Sequence, residues 1–245
     1  MTVSGSYLAF QLRGALPFFR IYRDSIVTDA LTGFVNLEQR ADAVSDAAFK
    51  RMGSRPAKDD SGDMDQEAEW AHEEGQAYYE AMTGLRQATI NLLAAGLFHL
   101  LEQQLAKLTF DRKFREIHLE PKKVKLETLA EWYKKHLDLD FKQLPKWDIV
   151  DQLRLVAGAV KHADGGSARE LRDKREELFR TPGLDQLKLP TPDYDNWPLR
   201  SPLSGEDLFV TEQIFSEYAH AAHDFVIAIV AHFQRNASKG YPCST

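Results

Sequence analysis

The sequence predicts an all-α fold, a single helical bundle with a long second helix and a long last helix. Two observations carry this. Apolar residues recur at steps of three and four along most of the chain, while the alternation of a half-buried strand is nearly absent. The composition, with 43% hydrophobic and 28% charged residues, is that of an ordinary globular chain. Its 245 residues suffice for one large core, and we read positions 1–235 as one domain.

The first helical region runs from about Pro17 to Met52. Phe19, Tyr22, Ile26, Ala30, Phe34 and Leu37 give it one apolar face, and Pro17 suits a first turn. Residues 53–65 are acidic and contain Pro and Gly, which predicts a mobile loop. Their aspartates do not follow the alternating spacing of a calcium-binding EF-hand loop. The second long helix is expected from Gln66 to Leu108. Its first half is polar, and its second half carries Leu85, Ile90, Leu93, Leu97, Leu100, Leu101 and Leu105. That asymmetry predicts that the first half projects past the core or meets a partner.

Shorter helices are expected at 122–137, at 146–162 and at 167–179, the last opened by a capping box of Ser167 and Glu170. A second mobile loop is expected at 181–205, where Pro182, Pro190, Pro192, Pro198 and Pro202 forbid a continuous helix. Tyr194, Trp197 and Leu199 give that loop apolar anchors. The last helix, about 206–235, carries a stripe of Phe215, Tyr218, Ala222, Phe225, Ile229 and Phe233. A flexible tail is expected at 236–245.

The candidate site lies on the helix at 146–162. On a wheel of about 100° per residue, Ile149, Leu153, Val156 and Val160 face the core. Arg154 and Lys161 share a flank, and His162 lies near Asp151, Leu155, Gly158 and Ala159. Small residues on that second face allow close approach of a second subunit or of another helix of the same chain. A histidine there is placed for acid–base work. The plainer account is a helix end, where Lys161 and His162 favour the dipole and Gly165 and Gly166 stop the helix.

Phe98-His-Leu-Leu-Glu102 on the long helix and the later Leu153-Arg-Leu-Val-Ala-Gly-Ala-Val-Lys-His162, in an all-α setting, resemble the HEPN superfamily. Many of its members are metal-independent endoribonucleases of toxin–antitoxin and phage-defence systems. Others are non-catalytic nucleotide- or RNA-binding modules. The family motif is an Arg, four to six residues and a His, near a homodimer cleft. Here seven residues separate Arg154 from His162, and Leu155, Val156 and Ala157 stand where that Arg belongs.

The resemblance implies a homodimer, RNA or nucleotide as a partner, and a companion antitoxin or defence protein. In such an enzyme His162 transfers a proton, and Lys161 or Arg154 holds the phosphate. Two histidines share the proton roles only when a second subunit contributes its own. No cofactor and no metal are implied.

Two other readings stand beside it. One is a non-enzymatic helical module for dimerisation or interaction. The other is a di-iron carboxylate bundle using Glu69–His72 and Glu217–His220, with Glu38 and Glu131 completing the set. His220, His223 and Asp224 nominate a single-metal site more weakly, and an exposed or interfacial histidine pair accounts for them as well. His99 reads as a partly buried histidine bonded within the bundle. No phosphate loop, nucleotide fingerprint or nucleophile elbow is present.

The formal charge of −6 leaves no broad basic field, so any nucleic-acid contact is local. The single cysteine, Cys243, permits neither an internal disulfide nor a multi-thiolate metal site. Arg13, Arg20 and Arg23 interrupt the apolar residues that a signal peptide needs. The longest apolar run, near 225–233, is too short for a membrane span. A cytoplasmic location is expected.

Overall fold

A computed structural model describes residues 2–53, 64–182, 198–203 and 205–242. Its described residues form an all-α fold with one two-stranded sheet. Residues 54–63 of the loop expected at 53–65, and the part of the 181–205 loop that holds Tyr194 and Trp197, lie outside the described residues. No described helix is long and apolar enough to cross a membrane.

The chain opens with strand β1 (Thr2–Ser4), which pairs antiparallel with β2 (Gly240–Pro242), Val3 opposite Tyr241. The flexible tail expected at 236–245 thus holds a paired strand within its described residues, 236–242. Tyr241 is buried against Phe233, with ring centroids 5.6 Å apart. Three-residue strands carry too little alternation to register as a pattern. Ser4 caps α1 (Gly5–Arg13) by accepting from Tyr7 N–H at 3.3 Å. Gly5 has no room for a side chain, because a Cβ there would sit 2.3 Å from Asn236 O.

The expected helix from Pro17 to Met52 is divided. It becomes α2 (Leu16–Asp24), α3 (Ile26–Leu31), a 3₁₀ turn at Thr32–Phe34 and α4 (Leu37–Gly53). Gly33 lies within the 3₁₀ turn, and Asn36, at φ 55°, takes the left-handed conformation that this residue type tolerates. Of the expected apolar face, Phe19 alone is fully buried. Pro17 does sit in the first turn of α2.

Helix α5 (Met64–Thr109) is the long second helix. Its polar first half pairs with α4 along a seam of small residues, in which Ala41, Ala48 and Ala71 are buried. A Cβ at Gly75 would meet Ala41 O at 2.8 Å, so the two helices lie in close contact there. These alanines stand apart from the main apolar core. The apolar second half of α5, with Ile90, Ala94, Leu97, Leu101 and Leu105, enters that core.

Helix α6 (Leu126–Leu137) ends on Asp138 at φ 50°. Its Tyr133 is buried and donates to Leu105 O at 2.8 Å. Helix α7 (Trp147–His162) runs through the middle of the molecule against α5 and α9 (Glu212–Arg235). The predicted stripe on α9 is buried throughout, from Phe215 to Phe233.

Between α7 and α9 lies α8 (Gly166–Lys174), followed by a 3₁₀ turn at Glu176–Phe179. Its cap is Gly165, with no side-chain hydrogen bond. The expected Ser167–Glu170 capping box is not formed, because Ser167 lies inside the helix and turns toward Gly158.

A strap precedes α9. Asn91, fully buried on α5, donates to Pro202 O at 2.9 Å and Leu208 O at 2.8 Å. Its amide oxygen accepts from Val210 N–H at 3.3 Å. Gly205 adopts φ +78° and packs so near α5 that a Cβ would lie 2.4 Å from Gly84 O. The apolar anchor Leu199 is buried.

Candidate functional site

The second face of α7 is filled from within the chain. Leu155 and Ala159 have no exposed surface. At Gly158 a Cβ would lie 2.4 Å from Ser167 Oγ on α8. Of the two occupants that this small-residue face allowed, a second subunit or a helix of the same chain, it holds the second. The connection between α7 and α8 is too short to carry α8 far away, so α8 folds back onto the face.

Arg154 is drawn into an ion-pair network. Its Nε donates to Asp151 Oδ1 at 2.8 Å, and its two terminal nitrogens lie 3.3 Å from Glu127 and 3.7 Å from Glu170. Lys174 Nζ adds 2.9 Å and 3.0 Å contacts to Asp151 and Glu170. Burial alone would raise the Asp151 pKa. Hydrogen bonds from Lys174 and Arg154, with their charges, outweigh it and hold the carboxyl below the ordinary carboxylate range. Two cations face three carboxylates here, which leaves no positive charge to spare for a phosphate. The network ties α6, α7 and α8 together and gives Arg154 a structural role.

Lys161 and His162 stand differently. Both are exposed in the last turn of α7, and neither makes a hydrogen bond or ion pair with a described residue. The shared flank predicted for Arg154 and Lys161 is divided in use, with Arg154 inside the network and Lys161 outside it.

After His162 the backbone turns sharply at Ala163, with φ 52° and ψ −129°, a conformation suited to glycine. Gly165 N–H then donates to Ala163 O at 2.8 Å. Open space surrounds Gly165 and Gly166. The first-turn amides of α8 thus start a helix without a side-chain cap, four to six residues after His162.

The di-iron set does not assemble. Glu69, His72, Glu217 and His220 are all exposed, whereas such ligands must face inward. His72 lines the α4–α5 seam with Glu38, while Glu217 lies 3.6 Å from Arg175, and His220 Nδ1 sits 2.8 Å from Ser216 O. Among the described residues no three His, Cys, Asp or Glu side chains are grouped to hold a metal ion. His223 is buried between α2 and α9, its Nδ1 3.4 Å from Arg23 Nη1 and 3.3 Å from Asp224 Oδ1. It is an interfacial histidine.

His99 is bonded within the bundle as expected, yet its side chain is 45% exposed. Its Nδ1 lies 3.1 Å from Glu102 Oε2, and the other Glu102 oxygen accepts from Leu126 N–H at 3.0 Å, at the start of α6. The three-residue spacing of a His and a Glu on one helix is a legible signal for this pair. Its neighbours from α6 and the preceding turn are not.

Compared with protein-family models, with curated proteins and with solved structures, the chain matches none of them.

Proposed function

We propose that the protein is a HEPN-like RNA-directed protein, a metal-independent endoribonuclease or an RNA-binding relative of such enzymes, working as a homodimer in a toxin–antitoxin or phage-defence setting with a companion protein. The observation that carries this reading is the exposed Lys161–His162 pair beside the uncapped start of α8. Backbone amides at a helix start and a lysine both favour a phosphate. A histidine next to them is placed to move protons on the same group.

The chemistry runs without a metal. His162 takes the proton of a ribose 2′-hydroxyl, and the freed oxygen attacks the adjacent phosphorus. The bond to the 5′-oxygen breaks, and that oxygen leaves with a proton. The products are a 2′,3′-cyclic phosphate and a 5′-hydroxyl end. Lys161 and the α8 amides stabilise the charge of the phosphorane. One chain supplies one such histidine, so the second proton-transfer group comes from the partner subunit.

Single-stranded RNA incubated in EDTA tests this. The wild type is expected to cleave it, His162→Ala to be slower by about 100-fold, and Lys161→Ala to lose rate by a smaller factor. Identical treatment of RNA by wild type and His162→Ala, in both cleavage and binding, refutes the reading.

A second reading, a non-enzymatic interaction module, is favoured by Phe49, Trp70, Leu85 and Leu92, large apolar side chains exposed on α4 and α5. It requires that Trp70→Ser and Leu85→Ser abolish self-association in light scattering while RNA is ignored.

A further inference from the structure

The His99–Glu102 pair opens into a groove of about 310 Å³ between α5 and the turn before α6. His99, Gln103, Phe110, Pro121 and Val124 line it with Glu102. Its size is that of a small-ligand pocket at the lower end of the usual range. Three features specify what it accepts.

The first is the carboxylate. One Glu102 oxygen is held by the Leu126 N–H and the other by the His99 ring. With both oxygens engaged, Glu102 is poorly suited to grip a metal ion or an amine. Its effect is on His99. A carboxylate only accepts, so in the neutral ring Nδ1 carries the proton and Nε2 is the acceptor. The neutral His99 ring, as part of the groove wall, thus offers an acceptor suited to a ligand hydroxyl.

The second is the aromatic wall. Phe110 is 46% exposed although it is a large apolar residue at a helix end. A flat ring left open beside polar groups is a stacking platform for a base.

The third is charge. Lys107 on α5 is spent elsewhere, its Nζ donating to Gln104 Oε1 at 2.7 Å and lying 5.8 Å from the ring centre of Phe18 on α2. Lys122 follows Pro121, a residue of the groove wall, and is exposed. One exposed cation therefore adjoins the groove wall on an otherwise acidic chain.

We infer that this groove binds a ribonucleotide unit, its base on Phe110, its phosphate toward Lys122, and its 2′-hydroxyl donating to His99 Nε2, with Glu102 as the positioning residue. The unit is a free nucleotide or one residue of single-stranded RNA. Only the RNA source rests on the function proposed above.

Calorimetric titration of the full chain with ribonucleoside 5′-monophosphates, their 2′-deoxy counterparts and a short single-stranded RNA tests the assignment. Circular dichroism confirms that each variant is folded. Ribonucleotide binding is expected, weaker by about tenfold or more in Phe110→Ala and similarly reduced in His99→Ala, with the deoxy forms bound less well. Glu102→Gln has one acceptor for two donors. It should lose the ribose-over-deoxyribose preference and shift the ¹⁵N resonances of the His99 ring. Binding of RNA but not of mononucleotides assigns the site to RNA, and the converse assigns it to a free ligand. Absence of binding to either, binding that His99→Ala and Phe110→Ala leave unchanged, or equal affinity for deoxy forms overturns the inference. His162→Ala should leave mononucleotide binding intact. Loss of cleavage in that variant with unaltered groove behaviour in the others separates failure here from failure of the ribonuclease reading.

Discussion

At the scale of single residues, Ala163 is the most informative position. Its φ of 52° with ψ −129° sets the turn between α7 and α8, and such a conformation costs a non-glycine residue about 1–3 kcal/mol. Glycine adopts it freely but loses more entropy on folding, by about 0.5–1 kcal/mol. The Ala163→Gly variant is therefore expected to be more stable by about 1 kcal/mol, read as a higher urea midpoint with an unchanged slope. A lower midpoint would mean that the turn is not strained. The sequence shows the Lys161–His162 pair and the Gly165–Gly166 stop. It does not show that Ala163 makes the turn, because alanine carries no propensity for positive φ. Arg154 was misleading for a related reason. Its flank was legible on the wheel, but the carboxylates of Glu127 and Glu170 that occupy it come from α6 and α8.

At the scale of elements, the strap ahead of α9 is held chiefly by Asn91, with Gln87 donating to Val210 O at 2.9 Å and Phe209 N–H to Leu178 O at 2.7 Å. Asn91 makes three hydrogen bonds to the backbone of residues 202–210 and a fourth to Gln87. Removing it leaves buried carbonyls and an amide without partners, so Asn91→Ala is expected to cost about 2–4 kcal/mol. Faster hydrogen exchange at the Val210 amide would accompany the loss. Unchanged exchange there would show that the strap is held without Asn91, by its buried Leu199, Leu208 and Val210 and by the bonds of Gln87 and Phe209. The helices that dominate the fold were legible because each buries a stripe of period 3.6, as on α9 and the second half of α5. The division of α2, α3 and α4 was not. Its breaks rest on Ser25, Gly33 and Asn36, short local features within a continuing apolar pattern. The α4–α5 seam was half legible. A polar first half predicted projection or a partner, and the partner is α4, which packs through alanines too small to stand out as a stripe.

At the scale of the whole molecule, the residues near each end of the described chain close one side of the core. Val3 and Tyr241 meet in the sheet, and Ser6 donates to Ala237 O across 231 positions of sequence. Tyr241 contributes a fully buried ring, so Tyr241→Ala is expected to destabilise the protein by about 3–5 kcal/mol, measured as ΔG of unfolding in urea. A change below 1 kcal/mol, about the scale of an exposed surface substitution, would show that the clasp is dispensable. Nothing in the tail's Ser, Gly and Pro content foretold this, since the partner strand is the feature that orders it.

The same clasp sets the order in which the protein can be completed during synthesis. Helices α1 and α2 rest chiefly on α9, and Leu8, Leu12 and Phe19 are buried there and in the adjoining core. At about 5–20 residues per second, a ribosome makes these helices roughly 10–40 s before the helix that shelters them. Until then their apolar faces must be tolerated in water or shielded by something else. Helices α1 and α2, made well before α9, are therefore among the last elements of this fold to find their place.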